Sequence, residues 1–211
     1  DAADNVTVTG TGTLAGDSGR IIGDVTVQSG GSLTPGDGDG DTGVLTVTGD
    51  VNLGGDFDLD INGASVDQLD VDGEVTLGGN LILDVATDPA ADLIVLIDND
   101  GTDTTTGEFT SLNGAPATLS DGATETLGTK TYKIFYNGGD GNDVVLANAE
   151  TPAVIYVDDG FTQNGGQTIS DADLGTANAQ GAIFGINAFS TLTDAIAVAG
   201  PSSTIIVNAG T

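Results

Sequence analysis

Residues 45–55 read LTVTGDVNLGG, and the two halves of this stretch recur along the first part of the chain. Segments similar to LTVTG start at Val6, Val25, Leu45 and Leu69, and these starts lie 19, 20 and 24 residues apart. The second half, VNLGG, recurs 24 residues later as VTLGG. Each segment carries an apolar residue at every second position and ends at Gly, Asn or Asp, which is typical of a short β-strand.

The near-constant spacing of these strands indicates a stacked coil in which neighbouring turns bury a continuous core. The alternation places Val, Leu and Ile inside and Thr, Asp and Asn outside. A β-sandwich would show the same alternation, but strands that repeat at regular spacing with the same terminal Gly-Gly pair favour the coil. We therefore predict an all-β fold: a parallel β-solenoid (β-helix) with a terminal hairpin and one short capping helix.

The pattern changes at Pro152, which we take as a boundary because proline stops strand pairing. Residues 1–150 are predicted to form the β-solenoid with an irregular closing segment. Residues 151–211 are predicted to start a second β-helix unit. Its capping helix is expected at about residues 188–199, where the helical spacing places four apolar side chains on one face. These four are Phe189, Leu192, Ile196 and Ala199.

The closing segment of the first unit contains three further strands. Residues 93–97 read LIVLI, a continuous apolar run that predicts a strand buried on both faces. Residues 131–136 and 143–146 are separated by a Gly-rich turn and are predicted to pair as the terminal hairpin.

The charge balance excludes several classes of function. The chain has 32 acidic and 3 basic residues and a net charge of −29, which would repel phosphate backbones, so we expect no nucleic-acid partner. No run is long and apolar enough for a transmembrane helix, so no membrane insertion is expected. Without His or Cys there is no catalytic triad and no thiolate nucleophile. Paired carboxylates leave a glycosidase open by residue type alone, but the chain has no Trp and only three Tyr, so we expect no enzyme.

Three Asp-rich loops, at residues 37–41, 98–103 and 138–146, carry the oxygen ligands that calcium prefers. Residues 37–41 read DGDGD and have the one-three-five acid spacing of a calcium loop, but no Glu stands at the twelfth position. Residues 138–146 match the calcium-binding nonapeptide GGxGxDxUx, although only once, whereas stacked copies build each site. Solvated turns would look the same. The candidate calcium ligands are Asp37, Asp39, Asp41, Asp98, Asp100, Asp103, Asp140, Asn142 and Asp143.

Several short motifs follow one another between residues 6 and 147. They are SLTPG (32–36), VLTV (44–47), GDVNL (49–53), DQLDV (67–71), GEF (107–109) and YNGGDGNDVVL (136–146). As an ordered set they resemble the repeats of bacterial autotransporter passengers and related cell-surface β-helix proteins. Residues 155–158, 188–199 and 204–211 are similar to the N-terminal start of right-handed, pectate-lyase-like β-helices, in which a short helix caps the first coil. These resemblances imply a second solenoid and an extracellular or cell-surface location.

The expected function is that of an extracellular structural protein, a β-solenoid subunit or repeat unit of a surface filament or stalk. Asp1 begins in mid-coil and Thr211 stands where a β-helix needs its next coil, so a second copy stacked head-to-tail would supply the missing coils. The partner is therefore expected to be the chain itself. The alternative is an adhesin passenger module whose solenoid face binds a glycan or a host protein.

Overall fold

The computed structural model describes residues 4–38, 40–117, 119–173, 175 and 178–208. These residues are mainly strands with one short helix, so the fold is all-β, as predicted. The strands up to residue 116 are β1 (Val6–Val8), β2 (Thr13–Gly16), β3 (Gly19–Ile21), β4 (Val25–Val27), β5 (Ser32–Pro35), β6 (Val44–Val47), β7 (Val51–Leu53), β8 (Asp56–Asn62), β9 (Ser65–Val66), β10 (Gln68–Val71), β11 (Val75–Leu77), β12 (Asn80–Thr87), β13 (Leu93–Asn99), β14 (Thr105–Thr106), β15 (Ser111–Leu112) and β16 (Ala115–Pro116). The remaining elements are β17 (Thr124–Leu127), β18 (Lys130–Gly138), β19 (Asp143–Asn148), β20 (Val154–Val157), β21 (Thr168–Ile169), β22 (Ala182–Ile183), β23 (Ala188–Phe189), α1 (Leu192–Val198) and β24 (Thr204–Val207).

The chain runs through three sheets in rotation, and we call one passage through all three a circuit. The first sheet has the order β1-β4-β7-β11-β14, the second β2-β5-β8-β12-β15-β16, and the third β3-β6-β10-β13-β19-β18-β17. Strands of successive circuits pair in parallel within each sheet, up to β14, β15 and β13. Among the described residues, none of the sheets closes on itself.

The register stacks like side chains above one another in the core. In the first sheet Val8, Val27, Leu53 and Leu77 are consecutive partners, and all four are buried. In the second sheet Phe57 pairs with leucines on both sides, and its ring stacks on Phe109 at 6.1 Å between centroids. The apolar residues at alternate strand positions therefore pack into one continuous core, in which the Val, Leu and Phe side chains are removed from water.

Glycine is required at two corners of the circuit because successive circuits approach closely there. An added Cβ on Gly79 would overlap the carbonyl oxygen of Gly55, and one on Gly55 would overlap the carbonyl oxygen of Gly31. At the other corner, a Cβ on Gly73 would come within 2.7 Å of the backbone of Gly49. This close approach explains the second glycine of the Gly-Gly pairs at residues 54–55 and 78–79.

An acidic column runs beside the second of these corners. The Asp24 carboxylate accepts a hydrogen bond from the backbone N–H of Asp50 at 3.1 Å, and the Asp50 carboxylate accepts one from Glu74 at 3.0 Å. Below them, the Asn5 side chain accepts from the Asp24 N–H at 3.0 Å. Part of the acid excess therefore joins one circuit to the next. The repeated Gly-Asp-Val and Gly-Glu-Val at residues 23–25, 49–51 and 73–75 is the sequence signal of this column.

The antiparallel hairpin of β18 and β19 extends the third sheet beyond β13. Its existence and the burial of residues 93–97 on both faces are confirmed. Ile94 and Leu96 face the main core, whereas Leu93 and Val95 pack in a second cluster with Phe135. Parallel stacking thus gives way to antiparallel pairing at this end of the third sheet.

The C-terminal region covers the outer face of this hairpin. The Phe135 ring lies against Gly165, Gly166 and Gly185, and Lys133 Nζ donates to the Gly185 carbonyl oxygen at 3.3 Å. Within the region, β20 pairs in parallel with β24 and with β23. The two regions on either side of Pro152 therefore share an apolar contact.

The helix lies within the predicted residues 188–199 but is shorter, and the apolar residues that the spacing placed on one face are not its buried face. The helix spans Leu192–Val198, Phe189 lies in β23, and Ala195 is the buried helical residue. Leu192 and Ile196 are 48% and 58% exposed. The Thr191 hydroxyl caps the helix by accepting from the Asp194 N–H at 3.2 Å, so the helix begins after Phe189. The small Ala195 side chain contacts the cluster of β20 and β23 in place of the larger residues.

Candidate functional site

Two of the three predicted calcium segments meet in space. We call residues 100–105 the Asp103 loop and residues 137–143 the Asp140 turn. The Asn142 side-chain amide donates to the Asp103 carbonyl oxygen at 2.8 Å, and the Thr105 hydroxyl donates to the Asn142 carbonyl oxygen at 2.5 Å. Between the loop and the turn lies a cavity of about 280 Å³. Asp103, Asp140 and Asn142 line this cavity.

Asn99, at the end of β13, forms the back of this junction. Its backbone N–H donates to the Asp143 carboxylate at 2.9 Å. Its side-chain amide donates to the Asp103 carbonyl oxygen at 3.2 Å and to the Thr105 hydroxyl at 3.1 Å. Asn99 is fully buried, although it continues the apolar column of Val47 and Val71. A polar residue therefore replaces a valine where the Asp103 loop leaves the core.

Two amide oxygens at the junction have no hydrogen-bond partner. They are Oδ1 of Asn99 and Oδ1 of Asn142, and both atoms are buried. A buried carbonyl oxygen without a partner costs on the order of 1–3 kcal/mol. The shared Asp103 carbonyl oxygen takes the amide nitrogens of both residues, so both amide oxygens are directed elsewhere. The junction is therefore incompletely satisfied by the protein's own groups.

Carboxylates surround the junction without a compensating cation from the protein. Burial raises the pKa of Asp143 to about 6, and the neighbouring charges of Asp98 and Asp140 add to this. Burial also raises the pKa of Asp98, with added repulsion from Asp70, Asp140 and Asp100. The backbone at Gly139 has a positive φ of 54°, and a Cβ there would overlap the Asp143 carboxylate, so the Gly-Gly start of this turn makes room for that group.

The remaining predicted segment lies in a separate acidic cluster. Asp37 and Asp41 are exposed, and Asp39 lies outside the described residues. Asp41 and Asp60 add their charges to the environment of Asp67, a carboxylate buried between Gly43 and Asp60. The Asp67 carboxylate accepts from the Gly43 N–H at 2.7 Å and from the Asp60 N–H at 2.8 Å. These donors satisfy the charge, and burial raises the pKa of Asp67 to about 6.

Sequence reasoning missed Asn99 and Thr105, which hold the junction together, and Asp67. The alternation of strand residues contains no signal for Asn99, because it occupies an inward position where an apolar residue is expected. Among the described residues, no group of three or more acidic side chains is close enough to hold a metal ion. Any cation here would therefore need amide and backbone oxygens in addition to carboxylates.

A larger groove lies beside β20. It has a volume of about 710 Å³ and an apolar floor that includes Tyr156, Ile169 and Ile183. Asp92 and Glu150 stand among its lining residues, and no basic residue does. The groove can accept an uncharged or a cationic ligand, whereas an anionic ligand would be repelled.

Comparison of the chain with family models, with curated proteins and with solved structures gives no match. Within the described part of the chain, no helix is both long and apolar enough to cross a membrane.

Proposed function

We propose that the chain is an extracellular structural protein, a parallel β-solenoid unit that stacks head-to-tail into a surface filament or stalk. The three sheets with their stacked circuits support the solenoid architecture. The residue types support a structural role, because His, Cys, Met and Trp are absent and Gly supplies 34 positions. The acid excess and the resemblance to cell-surface β-helix proteins support a location outside the cell.

The observation that carries the proposal is the set of edge strands at one end of the circuits. The first circuit, β1, β2 and β3, forms the edge of all three sheets together. Within the described residues, the outward backbone groups of these strands have no further strand to pair with. An edge strand is a template for another strand, and in this proposal a second copy supplies the circuit that pairs with the three adjacent edges.

The C-terminal region offers a second surface for the contact. β24 is the edge strand of its sheet, and Val207 on it is 61% exposed. Leu192 and Ile196 lie four residues apart and expose an apolar stripe on α1. We propose that this surface of one copy covers the edge strands β1 to β3 of the next.

The net charge of −29 opposes self-association, so assembly should depend on salt. Sedimentation velocity and negative-stain electron microscopy at low and at moderate ionic strength should show oligomers or filaments that grow with protein concentration and with salt. A chain that stays monomeric at high concentration under both conditions would contradict the proposal.

A pair of matched variants tests the surface. Replacing Leu192 and Ile196 by serine should shift the assembly midpoint to at least about tenfold higher concentration, because exposed apolar contact is lost. The control replaces the exposed Thr193 and Ala197 of the same helix by serine and should assemble like the parent chain. Equal assembly of the two double variants would exclude α1 from the contact.

The groove beside β20 favours one alternative, an adhesin module. Its apolar floor and its two carboxylates suit a glycan or a basic segment of a host protein. A glycan array and a pull-down with host surface proteins, each compared with a Tyr156→Ala variant, would support this alternative if binding is saturable and is lost in the variant.

A further inference from the structure

We infer that Asn164 is a modification site at which the folded chain deamidates spontaneously, and that the isoaspartate product weakens the contact between the C-terminal region and β18. The inference goes beyond the proposed function and does not depend on it, because every group involved belongs to a single chain. Asn164 is exposed, lies outside the helices and strands, and is followed by Gly165. Gly165 in turn lies against the Phe135 ring of β18.

The reaction needs only water and the two residues of an Asn-Gly step. The backbone nitrogen of the glycine attacks Cγ of the asparagine side chain and forms a new N–C bond, while the proton of that nitrogen and the side-chain NH₂ leave together as ammonia. Water then opens the succinimide ring at one of its two carbonyl groups, which gives either aspartate or isoaspartate. Glycine favours the attack because it has no Cβ to hinder the approach. Asparagine is accordingly a thermolabile residue.

The chain contains four Asn-Gly steps, and in two of them the attacking nitrogen is hydrogen-bonded. The four are Asn62-Gly63, Asn113-Gly114, Asn137-Gly138 and Asn164-Gly165. The Gly63 N–H donates to the Thr87 carbonyl oxygen at 3.2 Å. The Gly114 N–H donates to Asn80 Oδ1 at 3.0 Å. A nitrogen engaged in this way must break its hydrogen bond before it can lose its proton and attack, so both steps are protected.

Strand pairing and a side-chain bond add further protection. Asn113 Oδ1 accepts the Leu83 N–H at 2.9 Å, so the carboxamide that would be attacked is also fixed. Gly138 is buried within β18 and pairs with Asp143 across the hairpin. A residue inside a paired strand cannot reach the preceding side chain until the strand opens locally.

At the Asn164 step neither reacting group is held. Among the described residues, neither the Gly165 N–H nor the Asn164 carboxamide has a hydrogen-bond partner. The Asn164 backbone holds the turn instead: its N–H donates to Gln167 Oε1 at 2.6 Å, and its carbonyl oxygen accepts the Gln167 N–H at 3.2 Å. No hydrogen bond to a described residue therefore has to break before the Gly165 nitrogen approaches Cγ of Asn164.

The isoaspartate product disturbs the packing at Phe135. Its main chain passes through the former side chain and is longer by one atom, whereas aspartate leaves the main chain unchanged. The adjoining glycines have no room to shift, because an added Cβ on Gly165 would overlap the Phe135 ring and one on Gly166 would lie 3.0 Å from Phe135 Cδ2. A longer backbone at Asn164 therefore displaces these glycines from the ring and loosens the C-terminal region.

Peptide mapping of the full chain after incubation at mildly alkaline pH tests the reaction. Digestion at acidic residues places each of the four Asn-Gly steps on a separate peptide, and mass spectrometry measures the loss of ammonia from each. In the folded chain Asn164 should deamidate at least about fivefold faster than Asn62 and Asn113, whose glycine hydrogen bonds must first break. In urea the rates should converge. A folded chain in which Asn62 or Asn113 reacts as fast as Asn164, or a ratio that persists in urea, would overturn the inference.

Hydrogen–deuterium exchange tests the weakened contact. Exchange at residues 165–186 should rise in the aged parent chain in proportion to its isoaspartate content. Asn164→Gln should not change on ageing, because its longer side chain closes a ring much more slowly. Fresh Asn164→Asp is the control for charge, since it adds the carboxylate without lengthening the main chain, and it should exchange like the fresh parent chain. Equal exchange in the aged parent chain and the aged Asn164→Gln variant would overturn the proposed weakening.

Discussion

Gly79 lies at a corner where the backbones of two circuits are in contact, whereas its neighbour Gly78 faces open space. An added Cβ at Gly79 would overlap the Gly55 carbonyl oxygen, whereas a Cβ at Gly78 would meet nothing within 4 Å. The Gly55 oxygen cannot move freely, because it also accepts the Asn80 N–H at 3.0 Å. At the scale of single residues, the distance between circuits leaves room for a hydrogen atom and for nothing larger.

Gly79→Ala should therefore destabilise the protein much more than Gly78→Ala. We expect a loss of on the order of 3 kcal/mol for Gly79→Ala from the steric overlap. Gly78→Ala should change the unfolding free energy by less than about 1 kcal/mol, since its new methyl group points into open space. Urea unfolding followed by circular dichroism measures both values. Equal losses for the two variants would contradict the close approach.

Asp67 makes stability depend on pH. Its pKa is raised from 3.8 to about 6, first by burial and then by the charges of Asp60 and Asp41, while the Gly43 and Asp60 N–H groups act in the opposite direction. A raised pKa means that the folded state holds the proton more tightly than the unfolded state. The stability from this protonation is complete below about pH 4 and is lost as the pH rises through about 6.

Asp67→Asn should flatten this dependence. In the parent chain we expect the contribution of Asp67 to fall by on the order of 2 kcal/mol between about pH 4 and pH 7, and this part should vanish in the variant. The variant should also be less stable at about pH 4, since an amide NH₂ faces one of the two N–H donors. In the variant, stability should still fall somewhat as the pH rises, because burial also raises the pKa of Asp143. Urea unfolding at several pH values measures it, with Asp84→Asn as the control.

Among the elements, β18 has two faces that belong to different clusters. Ile134 and Tyr136 face the main core, where the Tyr136 hydroxyl donates to the Leu119 carbonyl oxygen at 2.7 Å. Phe135 faces the C-terminal region and packs against Gly165 and Gly166. The strand therefore connects the two regions through alternate side chains.

Phe135→Ala should loosen the C-terminal region selectively. We expect a loss of about 3 kcal/mol from the cavity, together with faster hydrogen exchange at residues 161–186. Tyr136→Phe is the control on the opposite face, and it should affect residues 109–121 instead, because it removes the bond to Leu119. Hydrogen–deuterium exchange with mass spectrometry measures both. If both variants changed hydrogen exchange in the same residues, the two faces of β18 would not act independently.

The sequence was sufficient for features that depend on local alternation and spacing. Strand character, the double burial of residues 93–97 and the terminal hairpin all follow from period-2 patterns and turn residues. The spacing did not show which face of α1 is buried: it groups Leu192 and Ile196, which are exposed, whereas the smaller Ala195 packs against the strands. Local patterns report which positions alternate, and tertiary packing decides which of them are covered.

The candidate site was predictable only in parts. The Asp103 loop and the Asp140 turn each carry a recognisable acid pattern, but more than 30 residues separate them, and their meeting depends on how β18 and β19 extend the third sheet. Asn99 and Asp67 had no signal at all, because each is a polar residue that the fold buries. Such positions become visible only when the backbone places hydrogen-bond partners around them.

For the whole molecule, the dominant electrostatic term is self-repulsion. With 32 acidic and 3 basic residues, added salt should screen the repulsion and stabilise the folded chain. We expect the melting temperature to rise by several degrees, roughly 5 °C, between about 0.01 M and 0.5 M potassium chloride. Differential scanning calorimetry measures the shift. A melting temperature that falls with salt would show that attractive pairs dominate instead.

The placement of the three basic residues makes trypsin a local probe of this fold. Arg20 lies in the edge strand β3, whereas Lys130 and Lys133 lie in β18, which is paired on both sides by β17 and β19. A protease needs a locally unfolded segment, and edge strands open more readily than central ones. Brief digestion should therefore first release residues 1–20 and leave the rest of the chain intact. The later appearance of cuts at Lys130 and Lys133 then times the opening of the hairpin, so that one digestion separates fraying at the first circuit from unfolding at the other end.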